Sequence, residues 1–423
     1  MNQEVFLSAD ILIPKEEIDM TKWSVVACDQ YTSEREYWEK IETIVGDEFS
    51  TLKMVFPEAY LEEGDFHERI EGIGKHMNLA LEKDIFHTYK NSFIYVKRVL
   101  ANGQIRHGIV GKIDLESYNY QAGSKTSVRA TEGTIIERIP PRVKVRNNCP
   151  MELPHVMLLI DDESRNIIEK IAINADSLRK VYDFDLVQNS GSISGYLLNE
   201  ECVDILNEGI SQLANREAFQ ERYDTKEEDV LLFAAGDGNH SLATAKKCYE
   251  NLKEEVGLGA LKSKARYALV EVVNLHDESL VFEPIHRVMF QVDVPHLCES
   301  LCKQFQISET NDLNDHDFVM VTKDGKKGFR IKDAISNLAV GDLQKFLDDY
   351  MKNHGGIIDY IHGDDVVISL CADNKNAVGF LLNCMEKTEL FKTVIVDGAL
   401  PRKTFSMGEA CDKRFYLEAR TIV

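Results

Sequence analysis

The run Val230-Leu231-Leu232-Phe233-Ala234-Ala235 breaks into Gly236-Asp237-Gly238-Asn239-His240-Ser241 and passes directly into Leu242-Ala243-Thr244-Ala245-Lys246-Lys247. No other stretch constrains the fold as strongly. The apolar run predicts a buried strand, and the two glycines supply the flexible backbone that a tight turn requires. The small residues that follow predict a helix starting near Ser241. The unit is strand, loop, helix, as in mixed α/β proteins.

Such a loop offers backbone N–H groups and a helix N-terminus that favours anions, with ionisable side chains at the strand's end. Asp237 can hold a divalent cation or accept a proton. His240, three positions on, can act as an acid–base group or donate to a phosphate oxygen. The same residues also have a plainer use: Asp-Gly is ordinary turn chemistry, and Asn239 or Ser241 can cap the helix.

Composition narrows the classes. With 423 residues the chain can bury the cores of two or three domains. Its 44% hydrophobic and 28% charged residues are ordinary for a soluble globular protein. No segment approaches the roughly 20 apolar residues of a membrane span, so no membrane partner is expected. The N-terminal residues lack the basic start and apolar core of a secretory signal, which points to the cytoplasm. A net charge of −22 opposes non-specific binding to nucleic acid but leaves room for a local basic pocket. The nine cysteines include no Cys-x-x-Cys pair, and Cys298 and Cys302 have no histidine pair beside them to complete a metal set.

Strand-like and helical segments alternate along the chain. Strands are expected at 92–99, 107–113, 155–160, 230–234, 267–273, 318–321, 366–370 and 393–396. Helices are expected at 33–44, 66–83, 164–170, 200–221, 241–255, 294–305 and 340–353. The pattern changes near Glu283-Pro284. This divides the chain into a core at 1–290, a smaller α/β subdomain at 291–370 and a C-terminal segment at 371–423 that returns to the core.

A second polar cluster spans Arg129-Ala130-Thr131-Glu132-Gly133-Thr134, followed by Glu137, Arg138, Pro140-Pro141 and Arg142. Bidentate arginines suit phosphate or carboxylate recognition, and an exposed loop ended by the proline pair is the plainer alternative. His276-Asp277 and His286-Arg287 bracket an apolar run. Arg402-Lys403-Thr404 sets two cations beside hydroxyls, as an anion-binding loop or a solvated turn. Residues 189–195 form a hydroxyl-rich lid or a surface loop. The common phosphate-loop, dinucleotide, zinc-protease and esterase motifs are absent from the sequence.

The Asp-Gly-Asn-His segment at 237–240, Thr-Glu-Gly-Thr at 131–134, the 276–287 stretch and Lys403-Thr404-Phe405 occur in an order that resembles the uncharacterised DUF1015 family over nearly the whole chain. Typical members carry Asp-Gly-His-His-Arg and His-Glu-x-Thr; here Asn239, Ser241 and Thr131 replace the first histidine, the arginine and the second motif's histidine. Asp-Gly-x-His is more remotely similar to the ParB/sulfiredoxin-like superfamily, which includes kinases of free serine. The resemblance implies a ParB/sulfiredoxin-like core with a smaller inserted C-terminal α/β subdomain. It also implies a pyrophosphate-dependent serine kinase. Lys403 or Arg129 can supply the charge of the missing arginine.

The resulting expectation is a phosphotransferase that moves a phosphoryl group from pyrophosphate or a nucleotide to L-serine with Mg2+. Gly236, Gly238, Asn239 and Ser241 would cradle phosphate, and Asp237 would position the metal or the hydroxyl. His240 would bind or protonate the transferring group, and Glu132 would serve as base. Arg129, Thr131, Thr134, His286, Arg287, Lys403 and Thr404 complete the expected binding set. A phosphohydrolase and a non-catalytic nucleotide or metabolite sensor are the alternatives, and a homodimer is compatible with either.

Overall fold

The computed structural model describes residues 5–61, 66–121, 123–134, 136–305, 308–310, 316–332, 334–372 and 374–423. The chain forms two compact units, one from Met1–Leu280 with Glu409–Val423 and one from Val281–Gly408. Both are mixed α/β. The smaller unit is thus wider than the 291–370 segment expected from the sequence.

The larger unit contains β1 (Phe6–Leu7), β2 (Ile94–Val99), β3 (Ile105–Asp114), β4 (Tyr118–Asn119), β5 (Val128–Ala130), β6 (Met157–Ile160), β7 (Arg179–Asp185), β8 (Ser192–Leu197), β9 (Phe233–Asp237) and β10 (Tyr267–Asn274). They form one ten-stranded sheet in the order β7-β8-β2-β3-β10-β6-β9-β5-β4, with β1 added to β3. Side chains alternate between its faces, as the two-residue period of a strand requires. Ile94, Val96 and Leu269 join one hydrophobic cluster, whereas Tyr95, Val270 and Val272 join the other.

Helices cover both faces: α1 (Arg35–Val45), α2 (Phe66–Glu82), α3 (Ile139–Asn147), α4 (Ile168–Ile173), α5 (Glu200–Leu213), α6 (Arg216–Tyr223) and α7 (Asn239–Val256). Ile70, Ile73, Met77 and Ala80 of α2 share a helical face and pack into the first cluster. Leu242, Ala245 and Tyr249 of α7 pack into the second. The helix expected over 200–221 is divided because Asn215 accepts from the Ala218 amide and caps a new helix. At Gly108 a side chain would collide with the carboxylate of Glu271, so glycine is what lets Glu271 lie buried across β3 and β10.

The smaller unit has strands β11 (His286–Phe290), β12 (Ser308–Thr310), β13 (Phe318–Thr322), β14 (Gly325–Arg330), β15 (Ile357–Ile361) and β16 (Val378–Leu382). They pair antiparallel in the order β12-β14-β13-β16-β11-β15. Its helices are α8 (Val294–Phe305), α9 (Ala339–His354), α10 (Asp364–Ala372) and α11 (Lys387–Asp397).

Two expected strands are helical. Residues 366–370 lie in α10, where Val367 and Cys371, four apart, face a strand so closely that a Cβ at Gly379 would collide with Val367. Residues 393–396 lie in α11, whose start is fixed by a capping box between Glu386 and Glu389. β-Branched residues suggested strands in both places, and tertiary packing and capping outweigh that preference.

Candidate functional site

Strands β5 and β9 run parallel with Ala130 opposite Ala235, so both chains leave the sheet at the same edge. Thr131 and Glu132 follow β5 there, and Asp237 ends β9. Strand β6 runs antiparallel to β9 with Met157 opposite Asp237, which brings His155, just before β6, to that edge as well. Sheet topology alone therefore gathers residues from three distant parts of the sequence.

The loop itself is tight. Gly238 has φ +77°, and a Cβ at this position would lie 2.9 Å from Val156 Cα. The Gly238 amide donates to Asp237 Oδ1 at 2.8 Å. Gly236 still belongs to the strand, and α7 starts at Asn239 rather than near Ser241. Its N-cap is Gly238, and among the described residues no side chain caps this 18-residue helix. Asn239 and Ser241 bond elsewhere, and the helix N-terminus keeps its affinity for anions.

Asn239 donates weakly to Ala235 O at 3.3 Å and to Thr131 Oγ1 at 3.5 Å, while the Thr131 hydroxyl donates to Ala235 O at 2.6 Å. Among the described residues, Asn239 Oδ1 and Thr134 Oγ1 are buried without a hydrogen-bond partner. Such atoms are rare in a native interior and fit groups that a ligand completes. Ser241 Oγ lies 3.3 Å from His155 Nε2.

Asp237 has a partner that the sequence did not indicate. Lys413 Nζ lies 3.5 Å from Asp237 Oδ2, with both side chains mostly buried. Its neighbour Arg414 is buried and donates to Glu271 Oε2, Glu418 Oε2 and Pro154 O, each at 2.7–2.8 Å. These bonds fix the segment that carries Lys413 against the one that carries His155.

His155 is itself buried among partners. Its Nδ1 is 2.7 Å from Tyr416 Oη, and Asp29 Oδ2 lies 3.8 Å from its Nε2. Burial tends to raise the Asp29 pKa, but His155, Gln30 and Lys413 together hold it below the usual carboxylate value. Tyr416 Oη also donates to Cys28 Sγ at 3.0 Å. Burial pushes the Cys28 thiol up to about 12, so Cys28 remains protonated. The pKa of His240 is lowered by burial first and then by the charges of Arg142 and Arg138, with Asp29 opposing. His240 is thus a neutral imidazole near neutral pH.

Other expected residues have defined surroundings of their own. Arg129 is buried and bonds to Glu227 Oε1 at 2.7 Å, Thr126 O at 2.8 Å and Asp229 O at 2.9 Å. In the smaller unit, His286 accepts from the Leu382 amide at 3.1 Å and lies 2.8 Å from Asp364 Oδ1. Arg287 donates to Gln344 Oε1 at 3.1 Å and Arg402 O at 2.9 Å, and the Thr404 hydroxyl donates to Pro401 O at 2.6 Å. Lys403 is exposed with φ +56°. The side chains gathered at the loop are therefore Thr131, Asp237, Asn239, His240 and Ser241 from the expected set, with His155, Lys413 and Asp29 added.

Fold and loop define a mixed α/β protein with a glycine turn at the exit of a central strand. The chain belongs to the DUF1015 family, described as proteins of unknown function, which it matches over residues 12–350. No curated protein matches it. Among solved structures, a free serine kinase in complex with AMP is 9% identical with a TM-score of 0.38, covering 72% of this chain and 90% of that one. A conserved hypothetical protein from Pyrococcus furiosus is 10% identical with a TM-score of 0.36, covering 74% and 94%. SbnI with a C-terminal truncation, from Staphylococcus aureus, is also 10% identical with a TM-score of 0.36, covering 73% and 82%.

Proposed function

We propose that the protein is a small-molecule kinase that transfers a phosphoryl group from pyrophosphate or a nucleotide to the hydroxyl of free L-serine. The observation that carries this reading is the uncapped N-terminus of the 18-residue helix α7, set beside the Asp237–Lys413 pair. Phosphoryl transfer depends mainly on positioning and charge neutralisation, and this edge of the sheet offers both.

The amides at the start of α7 receive phosphate oxygens, and Lys413 takes the neutralising role expected of Lys403 or Arg129. The buried hydroxyl of Thr134 donates to the donor, while Asn239 Oδ1 accepts from the ammonium or hydroxyl of serine. Neutral His240 donates to the transferring group. A carboxylate, Glu132 or Asp237, takes the hydroxyl proton as the serine oxygen forms its bond to phosphorus and the bond to the leaving phosphate breaks. Among the described residues no group of three or more His, Cys, Asp and Glu side chains is placed to hold a metal ion. Magnesium in phosphoryl transfer is commonly held by one or two carboxylates, phosphate oxygens and water, and Asp237 fits that single-carboxylate role. Bound there, Mg2+ supplies charge neutralisation.

Phosphorus NMR of the protein with Mg2+, L-serine and pyrophosphate, ADP or ATP in turn tests this reading. Phosphoserine is the expected product. Orthophosphate released at the same rate without serine would replace the kinase with a phosphohydrolase, and binding without turnover of any donor would leave a sensor.

A further inference from the structure

A cavity of about 310 Å³ lies within the larger unit next to the loop. Its apolar wall includes Met54, Phe56, Met77, Leu242 and Ala245, all buried. Arg138, Arg142, His155 and Ser241 line the same cavity, with Arg138 exposed and Arg142 half-buried. The exposed cations of the lining are therefore at its rim, while the buried Glu152 is held in an ion pair with Arg146. An apolar void of about 150 Å³ accommodates benzene, so this one holds an aryl group or a medium-length alkyl chain.

The polar groups of the wall are paired within the protein. Thr244 Oγ1 donates to His240 O at 2.7 Å, and Cys149 Sγ donates to Val145 O at 3.2 Å. Glu152 accepts from Arg146 at 2.6 Å, Arg420 at 2.7 Å and the Leu269 amide at 2.9 Å. A nucleobase placed there would leave its own edge groups unpaired against these residues, which is unfavourable in an apolar site. A hydrocarbon body carries no such penalty.

We propose that this cavity binds an amphipathic anion, with a hydrocarbon or aryl body against the Met54–Phe56–Leu242 wall and an anionic head at Arg138 and Arg142. Arg142, on the first turn of α3, donates to Arg138 O at 2.8 Å and pairs with Glu58. An incoming phosphate or carboxylate competes with Glu58 for the same guanidinium. The cavity shares Ser241 and His155 with the loop, but its apolar wall recognises a hydrocarbon body that neither pyrophosphate nor serine carries, and its occupancy does not depend on the proposed reaction.

Isothermal titration calorimetry of the full chain with butyl, hexyl and octyl phosphate, inorganic phosphate, AMP and octanol tests this without turnover. Affinity should rise about three- to fourfold per added methylene until the cavity is full. Inorganic phosphate and AMP should bind more weakly than hexyl phosphate. Arg142→Gln should weaken octyl phosphate about tenfold and leave octanol unchanged, and Ala245→Phe should remove the dependence on chain length. Affinity that is independent of chain length, or equal losses for octanol and octyl phosphate in Arg142→Gln, would overturn the proposal, whereas AMP binding that survives Arg142→Gln belongs to the loop. The rim variant leaves the cavity floor intact, so it remains informative if Ala245→Phe does not fold.

Discussion

Arg414 Nε donates to Glu271 Oε2 at 2.7 Å in the core of the larger unit, and both side chains are only 3% exposed. Arg414 directly follows Lys413, the partner of Asp237. The pair couples the stability of the sheet to the placement of a charge at the loop. Replacing Arg414 with Met leaves Glu271 and Glu418 without their buried countercharge, which costs about 3–5 kcal/mol. Urea denaturation should show this loss. A decrease below about 1 kcal/mol would mean that the pair does not hold the C-terminal segment.

Asp237→Asn should abolish phosphoserine formation with little change in the thermal midpoint. Lys413→Met should lower kcat/KM for the donor about 100-fold, the effect of deleting one charged or oxyanion-type donor. Steady-state kinetics with a circular-dichroism melt separates chemistry from folding. Unchanged kinetics in both variants would remove the pair from the mechanism.

Gly238→Ala forces a side chain into φ +77° and toward Val156 Cα at 2.9 Å. The left-handed conformation alone costs about 1–2 kcal/mol for a residue with a Cβ. Denaturant midpoints should fall accordingly, and donor KM should rise because the α7 amides shift. A neutral effect on both would show that the loop relaxes freely.

His240 has a folded pKa below its ordinary 6.5, chiefly because of burial. The unfolded state therefore binds the proton more readily. Its contribution to stability is complete above pH 6.5 and is lost as pH falls from 6.5 toward the folded value. Urea midpoints of the protein and of His240→Asn should run parallel above pH 6.5 and diverge below it, with the unsubstituted protein losing more. Divergence on the alkaline side would reverse the assignment.

Cys28 has a thiol held near 12 by burial, whereas Cys384 is exposed. Burial and nearby carboxylates also push the Cys384 thiol up, so iodoacetamide at mildly alkaline pH should label Cys384 slowly yet ahead of Cys28, which it should spare until the protein unfolds, as peptide mass mapping would show. Rapid labelling of Cys28 in the folded protein would contradict its place behind Tyr416.

The strand–loop–helix at 230–247 was legible because its signals are local: an apolar run, two glycines and small residues. Its boundaries moved by two to three residues, since β9 starts at Phe233 and α7 at Asn239. The partners of Asp237 were not legible. Lys413 and His155 arrive through sheet pairing and a C-terminal return, neither of which leaves a periodic mark in the sequence. Pro154-His155 before an apolar run was the one available hint. Residues 366–370 and 393–396 read as strands because β-branched side chains dominate them, and only the packing partners and the Glu386–Glu389 box make them helical.

The return of residues 409–423 to the larger unit sets an order of events during synthesis. Trp23 Nε1 donates to Leu417 O, the Tyr416 amide to Val25 O and the Leu12 amide to Ala419 O, so residues 12–25 are closed by residues 416–419, about 400 positions on. While the ribosome is still making Val281–Gly408, the large sheet lacks Lys413, Arg414 and Tyr416. Asp237 and His155 then wait without their partners Lys413 and Tyr416, and a nascent chain stalled before Glu409 holds an unfinished loop. Residues 409–423, made after Val281–Gly408, act as the latch that completes this sheet, so such long-range closure should be a slow step of folding.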